Sequence, residues 1–222
     1  MINQWFPNMD WDKWLEATYE TVYMLVIGIT LTFIFGLLLG LLLFLSSKNQ
    51  MWENKVVNTF ISAFVNIFRS IPFIILIILL IPFTVFILGT MLGKDAALPA
   101  LVIGAAPFYA RLVEIAFREV NRGVVEAAQS MGAGPWRIVF RVYFPEAMPA
   151  LISGITVTAI ALIGYIAMAG AIGAGGLGSL AYMYGYQRGD NDVTMVATVT
   201  ILVIVFIIQG IGDLLTKRID KR

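Results

Sequence analysis

Four places in the sequence hold side chains able to do more than pack. Arg69 interrupts an otherwise apolar run from Val56 to Phe83, and at about 1.5 Å per residue it lies on the order of 20 Å into that run. An unpaired guanidinium there is costly, so it needs a partner. Glu114, with Arg111 as a competing charge, is the best placed acid for an intramembrane ion pair. A direct part in substrate handling or gating, and snorkelling of the side chain to the surface, are the other two readings. Met168 precedes Gly170, Gly173, Gly175, Gly176 and Gly178, an adaptable apolar side chain beside a backbone that can bend. Met168 and Gly170, and more weakly Tyr165, are candidates to line or gate a pathway, with plain helix packing as the competing reading. The fourth place is the polar segment around Glu126. Nucleophile–base catalysis, thiol redox chemistry and the usual zinc sites have no material here, because the chain has no Cys and no His.

The elements that must position these groups are membrane spans. Of the 222 residues, 59% are hydrophobic and 13% charged, outside the range of a soluble domain. The net charge of +1 gives no field that would attract nucleic acid. Uncharged runs long enough for about 30 Å of hydrocarbon predict an all-α integral membrane protein with five transmembrane helices. They lie at about 22–45, 56–83, 96–118, 148–169 and 193–214, with a cytoplasmic loop at 119–146. Pro72 and Pro82 should kink or break the second, and the glycines from 170 to 178 should end the fourth. Residues 1–21, with Trp5, Trp11, Trp14 and several acids, read as an outer interfacial segment. Residues 22–215 form the membrane domain, and 216–222 a basic tail anchored near anionic lipid.

Lys48 and Lys55, then Arg111, Arg118, Arg122, Arg137 and Arg141, then Lys217, Arg218, Lys221 and Arg222 fall in segments that are cytoplasmic if the N-terminus is outside; only Lys13, Lys94 and Arg188 fall in outer ones. That asymmetry favours an outer N-terminus and a cytoplasmic C-terminus. Tyr182, Tyr184 and Tyr186 suit an interfacial belt, with docking of an outer protein as the alternative. No internal repeat is evident, which weighs against a secondary transporter of inverted repeats, though a homo-oligomer could still enclose a central pathway.

The loop from Asn121 to Pro145 reads as helix, corner, helix. Asn121 can cap the first helix; Val124, Val125, Ala128 and Met131 share one face; Gly132 suits a left-handed end and Pro135 a new first turn. Such a corner could fill a groove on a soluble partner, or lie as an amphipathic connector on the membrane surface.

The spacing Glu126-Ala127-Ala128, three residues, Gly132, nine residues, Val142-x-Phe144-Pro145 resembles the EAA motif of permeases in bacterial ABC importers. Asn66-Ile-Phe-Arg69-Ser-Ile-Pro72, Ile81-Pro-Phe-Thr84, Gly104-Ala-Ala-Pro107-Phe and Gly164-Tyr-Ile-Ala-Met168 are similar to segments of the methionine-uptake branch. The resemblance covers about residues 20 to 215. It implies that Glu126, Ala127, Ala128 and Gly132 couple the chain to an ATPase, and that the permease is a homodimer in the bacterial inner membrane with two cytoplasmic ATPase subunits. It also implies an extracytoplasmic binding lipoprotein and an amino-acid substrate. ATP and magnesium would sit on the partner and no cofactor on this chain, which carries no G-x-x-x-x-G-K-[ST] loop and would not itself be an enzyme. The nearest rival within the class is a permease for another small amino acid or a peptide; a passive channel or a membrane scaffold without a solute pathway are the rivals from other classes.

Overall fold

A computed structural model describes residues 9 to 220, and every described element is helical. Four stretches are long and apolar enough to cross a membrane: Trp11–Leu45, Lys94–Arg118, Pro135–Ala174 and Asn191–Ile219. A bent pair, Lys55–Ser70 with Phe73–Leu79, makes a fifth if counted as one span. In chain order the helices are α1 Trp11–Leu45, α2 Lys55–Ser70, α3 Phe73–Leu79, α4 Ile81–Leu88, α5 Lys94–Arg118, α6 Arg122–Ser130, α7 Pro135–Ile138, α8 Phe144–Ala169, α9 Gly176–Ser179 and α10 Asn191–Ile219. A wide π turn over Val139–Tyr143 fuses α7 to α8, a second follows at Gly170–Ala174, and a third spans Leu180–Tyr186.

The first expected boundary shifts. Asp10 caps α1, its carboxylate accepting from the Lys13 N–H at 3.2 Å, and the helix then runs unbroken for 35 residues. Residues from Trp11 onward are therefore continuous with the first span and not a separate element. At about 1.5 Å per residue the helix is some 50 Å long and must project beyond the hydrocarbon. Trp14 anchors that projection by donating from its indole N–H to Thr200 Oγ1 at 2.9 Å. Trp5 lies outside the described residues, as do Lys221 and Arg222. The other end of the chain shifts too: α10 continues to Ile219, so Lys217 and Arg218 occupy its last turn.

The expected second span is the element that departs most from a rod. Pro72 forces Ile71 into extended backbone (φ −81°, ψ 123°), and α2 and α3 meet at 107°. Leu80 then breaks the chain again, Pro82 sits in the first turn of α4, and Gly89 ends that helix in the left-handed region at φ 72°. The segment is three short helices, because two prolines fall within one span's length.

α1 and α5 form the centre of the packing. A Cβ built on Gly36 would stand 2.9 Å from the Ala106 carbonyl oxygen, and one on Gly40 2.5 Å from that of Ala110, so the two backbones touch through these glycines. In lipid, such close approach replaces the hydrophobic effect as the force between helices. Tyr109 is fully buried beside this contact, with its hydroxyl 3.3 Å from the Leu151 carbonyl of α8. Phe44, Phe117 and Tyr143 close one end of the core, while Met24, Leu101, Leu162 and Ile166 fill the opposite half.

Candidate functional site

The corner between α6 and α7 is built as its residue types dictate. The Asn121 side chain accepts from the Gly123 N–H at 2.8 Å and starts α6. The helix stops at Met131, and Gly132 turns left-handed at φ 78°, donating to the Gln129 carbonyl at 2.9 Å. The Ala133 N–H closes on the Ala128 carbonyl at 3.0 Å, after which Pro135 opens α7. Val125 and Ala128 face the core, but the expected apolar face is narrower than the helical spacing implied. Val124 is 42% and Met131 82% exposed. Glu126 and Ala127 are exposed with them. Trp136 and Phe140, stacked at 5.9 Å, extend this surface along the start of α7. Behind it lies a cavity of about 380 Å³ lined by Gln50, Arg118, Arg122, Glu126, Gln129 and Tyr143 among others.

Glu114 does not meet Arg69. It is buried on α5 and accepts from Arg118 Nε and Nη2 at 2.9 and 2.7 Å and from Arg111 as well. Arg111 and Arg118 stand three residues before and four after it, on the same helix face, so the carboxylate is neutralised within its own helix. Arg69 makes no ion pair among the described residues. Its guanidinium lies 6.0 Å from the ring of Phe108 and edges a cavity of about 290 Å³ in the angle between α2 and α3, bounded also by Phe73, Leu76, Gly104 and Tyr165. Tyr165 stacks flat on Phe73, with centroids 4.4 Å apart and planes 3° from parallel, so it belongs to that cavity's wall.

Met168 is 48% exposed on α8. Gly170 is not beside it on an open face: it is buried, and a Cβ there would stand 2.5 Å from the Ser179 nitrogen and 2.7 Å from the Gly175 oxygen. Its smallness serves the turn behind it. Among the described residues no group of three or more acids could hold a metal ion.

With this geometry in view, comparison with known proteins is decisive. Residues 32–222 match the model of the family described as binding-protein-dependent transport system inner membrane component. The chain belongs to that family. It is 66% identical, over the full length of both chains, to the methionine import system permease protein MetP of Bacillus subtilis. To the probable D-methionine transport system permease protein MetI of Vibrio cholerae it is 46% identical, covering 100% of this chain and 98% of the other. A solved structure of the MetNI methionine ABC transporter in inward-facing conformations superposes with a TM-score of 0.91 at 43% identity, over 94% of this chain and 96% of that one.

In this family member the end of the bundle remote from the α6–α7 corner carries a contact that sequence reasoning missed. Gly173, Gly175 and Gly176 all take positive φ, folding the chain back after α8. Glu20 and Thr21 of α1 hold the fold: the Gly176 N–H donates to Glu20 Oε2 and the Leu177 N–H to Thr21 Oγ1, both at 2.8 Å. The signal was an acid next to a threonine at the outer edge of the first span, opposite a glycine run rich in free backbone donors. Nearby, Tyr184 lies between Lys13 and Arg188, with the cations 4.9 and 4.5 Å from its ring. Tyr182 and Tyr186 stack at 5.8 Å on the exposed side.

Proposed function

We propose that this chain is the permease subunit of an ATP-driven importer of methionine, moving its substrate by alternating access. Two copies form the membrane unit, with the N-terminus outside and the C-terminus in the cytoplasm, and each copy docks a cytoplasmic ATPase subunit that binds ATP and magnesium. A binding lipoprotein delivers methionine on the outer side. The observation that carries this reading is the cytoplasmic corner: an exposed carboxylate, an exposed alanine and a bare Met131 and Trp136 stand together on a turn whose backbone is fixed by Asn121 and Gly132. Glu126 supplies the polar contact, Ala127 lets the partner's backbone come close, and Ala128 seats the helix on the core.

The corner is continuous with the membrane. From Pro135 the chain stays helical to residue 171, about 55 Å at 1.5 Å per residue, ending in the glycine turn that α1 holds. A displacement imposed on the corner is thereby passed along one element to the opposite end of the bundle. Chemistry on the ATPase is converted into opening or closing of a pathway with no reaction on this chain.

The test is uptake of labelled methionine into proteoliposomes holding this chain with its ATPase and binding protein, with and without internal ATP, beside Glu126→Arg. Uptake that requires ATP and is lost in the variant, together with co-purification of the ATPase, supports the reading. Uptake indifferent to ATP refutes it.

A further inference from the structure

Arg69 is at mid-depth in the bundle. Its neighbour Phe108 lies within the 25-residue α5, about 21 Å along from Lys94 and about 15 Å before Arg118. The side chain is exposed, and no acid pairs with it among the described residues. A guanidinium facing lipid at that depth costs at least about 2.5–3.5 kcal/mol, so an exposed one signals water.

The rest of α2 agrees. Asn58, Thr59, Ser62, Asn66, Arg69 and Ser70 fall within an arc of about 120° at 100° per residue, forming one polar stripe along the helix. Phe60, Phe64 and Ile67 occupy the opposite side and are exposed, as lipid-facing groups are; Val65, buried, marks the side turned to the bundle. Asn58 fixes the start of the stripe by donating to the Leu43 carbonyl at 2.9 Å. A water-lined track thus leads from the cytoplasmic loop to Arg69 and ends where Pro72 turns the chain.

At that end is the cavity of about 290 Å³, close to the lower limit of small-ligand pockets at about 300–1,000 Å³, a size for one free amino acid and not a peptide. Its walls are aromatic and aliphatic apart from one cation. Resting on the reading of the chain as an ATP-driven methionine permease, we infer that this cavity is a transient intramembrane substrate site, in which Arg69 receives the α-carboxylate and the stacked Phe73–Tyr165 pair receives the thioether side chain. A guanidinium pairs a carboxylate with two parallel N–H donors, and a thioether sulfur sits favourably against an aromatic ring. Gly104, whose missing side chain would stand 3.3 Å from both Phe73 and Leu76, keeps the cavity floor open.

Because the chain has no cysteine, single thiols can report on the track. The permease–ATPase complex, held in lipid nanodiscs, is treated with a charged methanethiosulfonate. Ser62→Cys and Asn66→Cys should react and Ile67→Cys should not; millimolar methionine should slow labelling at Asn66→Cys about fivefold or more, and methioninamide, which lacks the carboxylate, should not. Adding Arg69→Gln should remove that protection and lower ATP-dependent methionine uptake about tenfold or more, the effect of losing a charge-assisted contact, with partial recovery in Arg69→Lys. An unreactive stripe, equal protection by the amide, or unchanged uptake in Arg69→Gln would overturn the inference. If Arg69→Gln fails to assemble, the thiols on the native background still decide. Failure of the underlying reading is a different result: no ATP-dependent uptake by the unaltered complex.

Discussion

Gly132 offers a perturbation whose magnitude follows almost entirely from backbone geometry. Its φ of 78° lies in the left-handed region, and a Cβ added there would meet nothing within 4 Å. Gly132→Ala therefore creates no clash in the chain itself, and its cost is the intrinsic penalty of an L-residue in that region, about 1–2 kcal/mol. Gly134, two residues on, also has open space around its missing Cβ but sits at φ −70°, so Gly134→Ala should cost only a few tenths of a kcal/mol, the scale of a weak helix-cap change. An exposed corner can relax its strain while undocked and must restore the turn to dock. The penalty then appears in affinity for the ATPase, as a dissociation constant raised about 5- to 30-fold in Gly132→Ala and little in Gly134→Ala.

The assay is titration of the purified permease in nanodiscs with its ATPase subunit, reading the half-saturating concentration. Gly132→Asn should fall between wild type and Gly132→Ala, since Asn tolerates the left-handed region. Equal affinities for the two alanine variants would refute the reasoning, because they share the open surroundings and differ in the backbone angle. So would a drop in Gly132→Ala matched by an equal loss of thermal stability, which would place the strain in the fold and not in docking.

Three further outcomes are expected in thermal unfolding of the purified chain. Glu114→Gln leaves Arg111 and Arg118 without their shared acid; breaking a fully buried pair costs about 3–5 kcal/mol, and the partial exposure of both arginines reduces that to about 2 kcal/mol. Gly40→Val drives a side chain against the Ala110 carbonyl and Val113, forcing α1 and α5 apart at about 1–3 kcal/mol, whereas Gly210→Ala, with nothing within 4 Å, should be silent. Trp14→Phe keeps most of the ring but loses the donor to Thr200, about 1 kcal/mol.

The span-forming segments were legible because apolar length is a one-dimensional property, and Pro72 declared the bend because a proline acts on its immediate neighbour. Partners were harder. Charge alone points Glu114 to Arg69 with Arg111 in competition, whereas Arg111 and Arg118 at −3 and +4 both pair with it; a helix can satisfy a buried acid locally when its neighbouring turns carry the counter-charge. Trp11 to Thr21 looked like an interfacial segment because its acids end the uncharged run, yet acids do not end a helix, and α1 continues into water with its period unbroken. Which glycine lies open and which closes a turn was invisible, since Gly164 and Gly170 have the same side chain and differ only in what surrounds them: nothing within 4 Å of the first, backbone within 3 Å of the second.

The polar stripe of α2 shows why a search for uncharged runs hides the functional face of a permease. Asn, Ser and Thr do not interrupt such a run, so the stripe passes as span, and only Arg69 stands out. Angular position separates the two solvents: Phe60 and Asn66 are six residues apart, about 120° around the helix at 100° per residue, and both are exposed. In a water-soluble protein exposure has one meaning. Here the exposed aromatic residue marks lipid and the exposed amide marks water, and the boundary between them runs down a single helix that ends in a 107° bend beside Arg69, which has no ion-pair partner among the described residues.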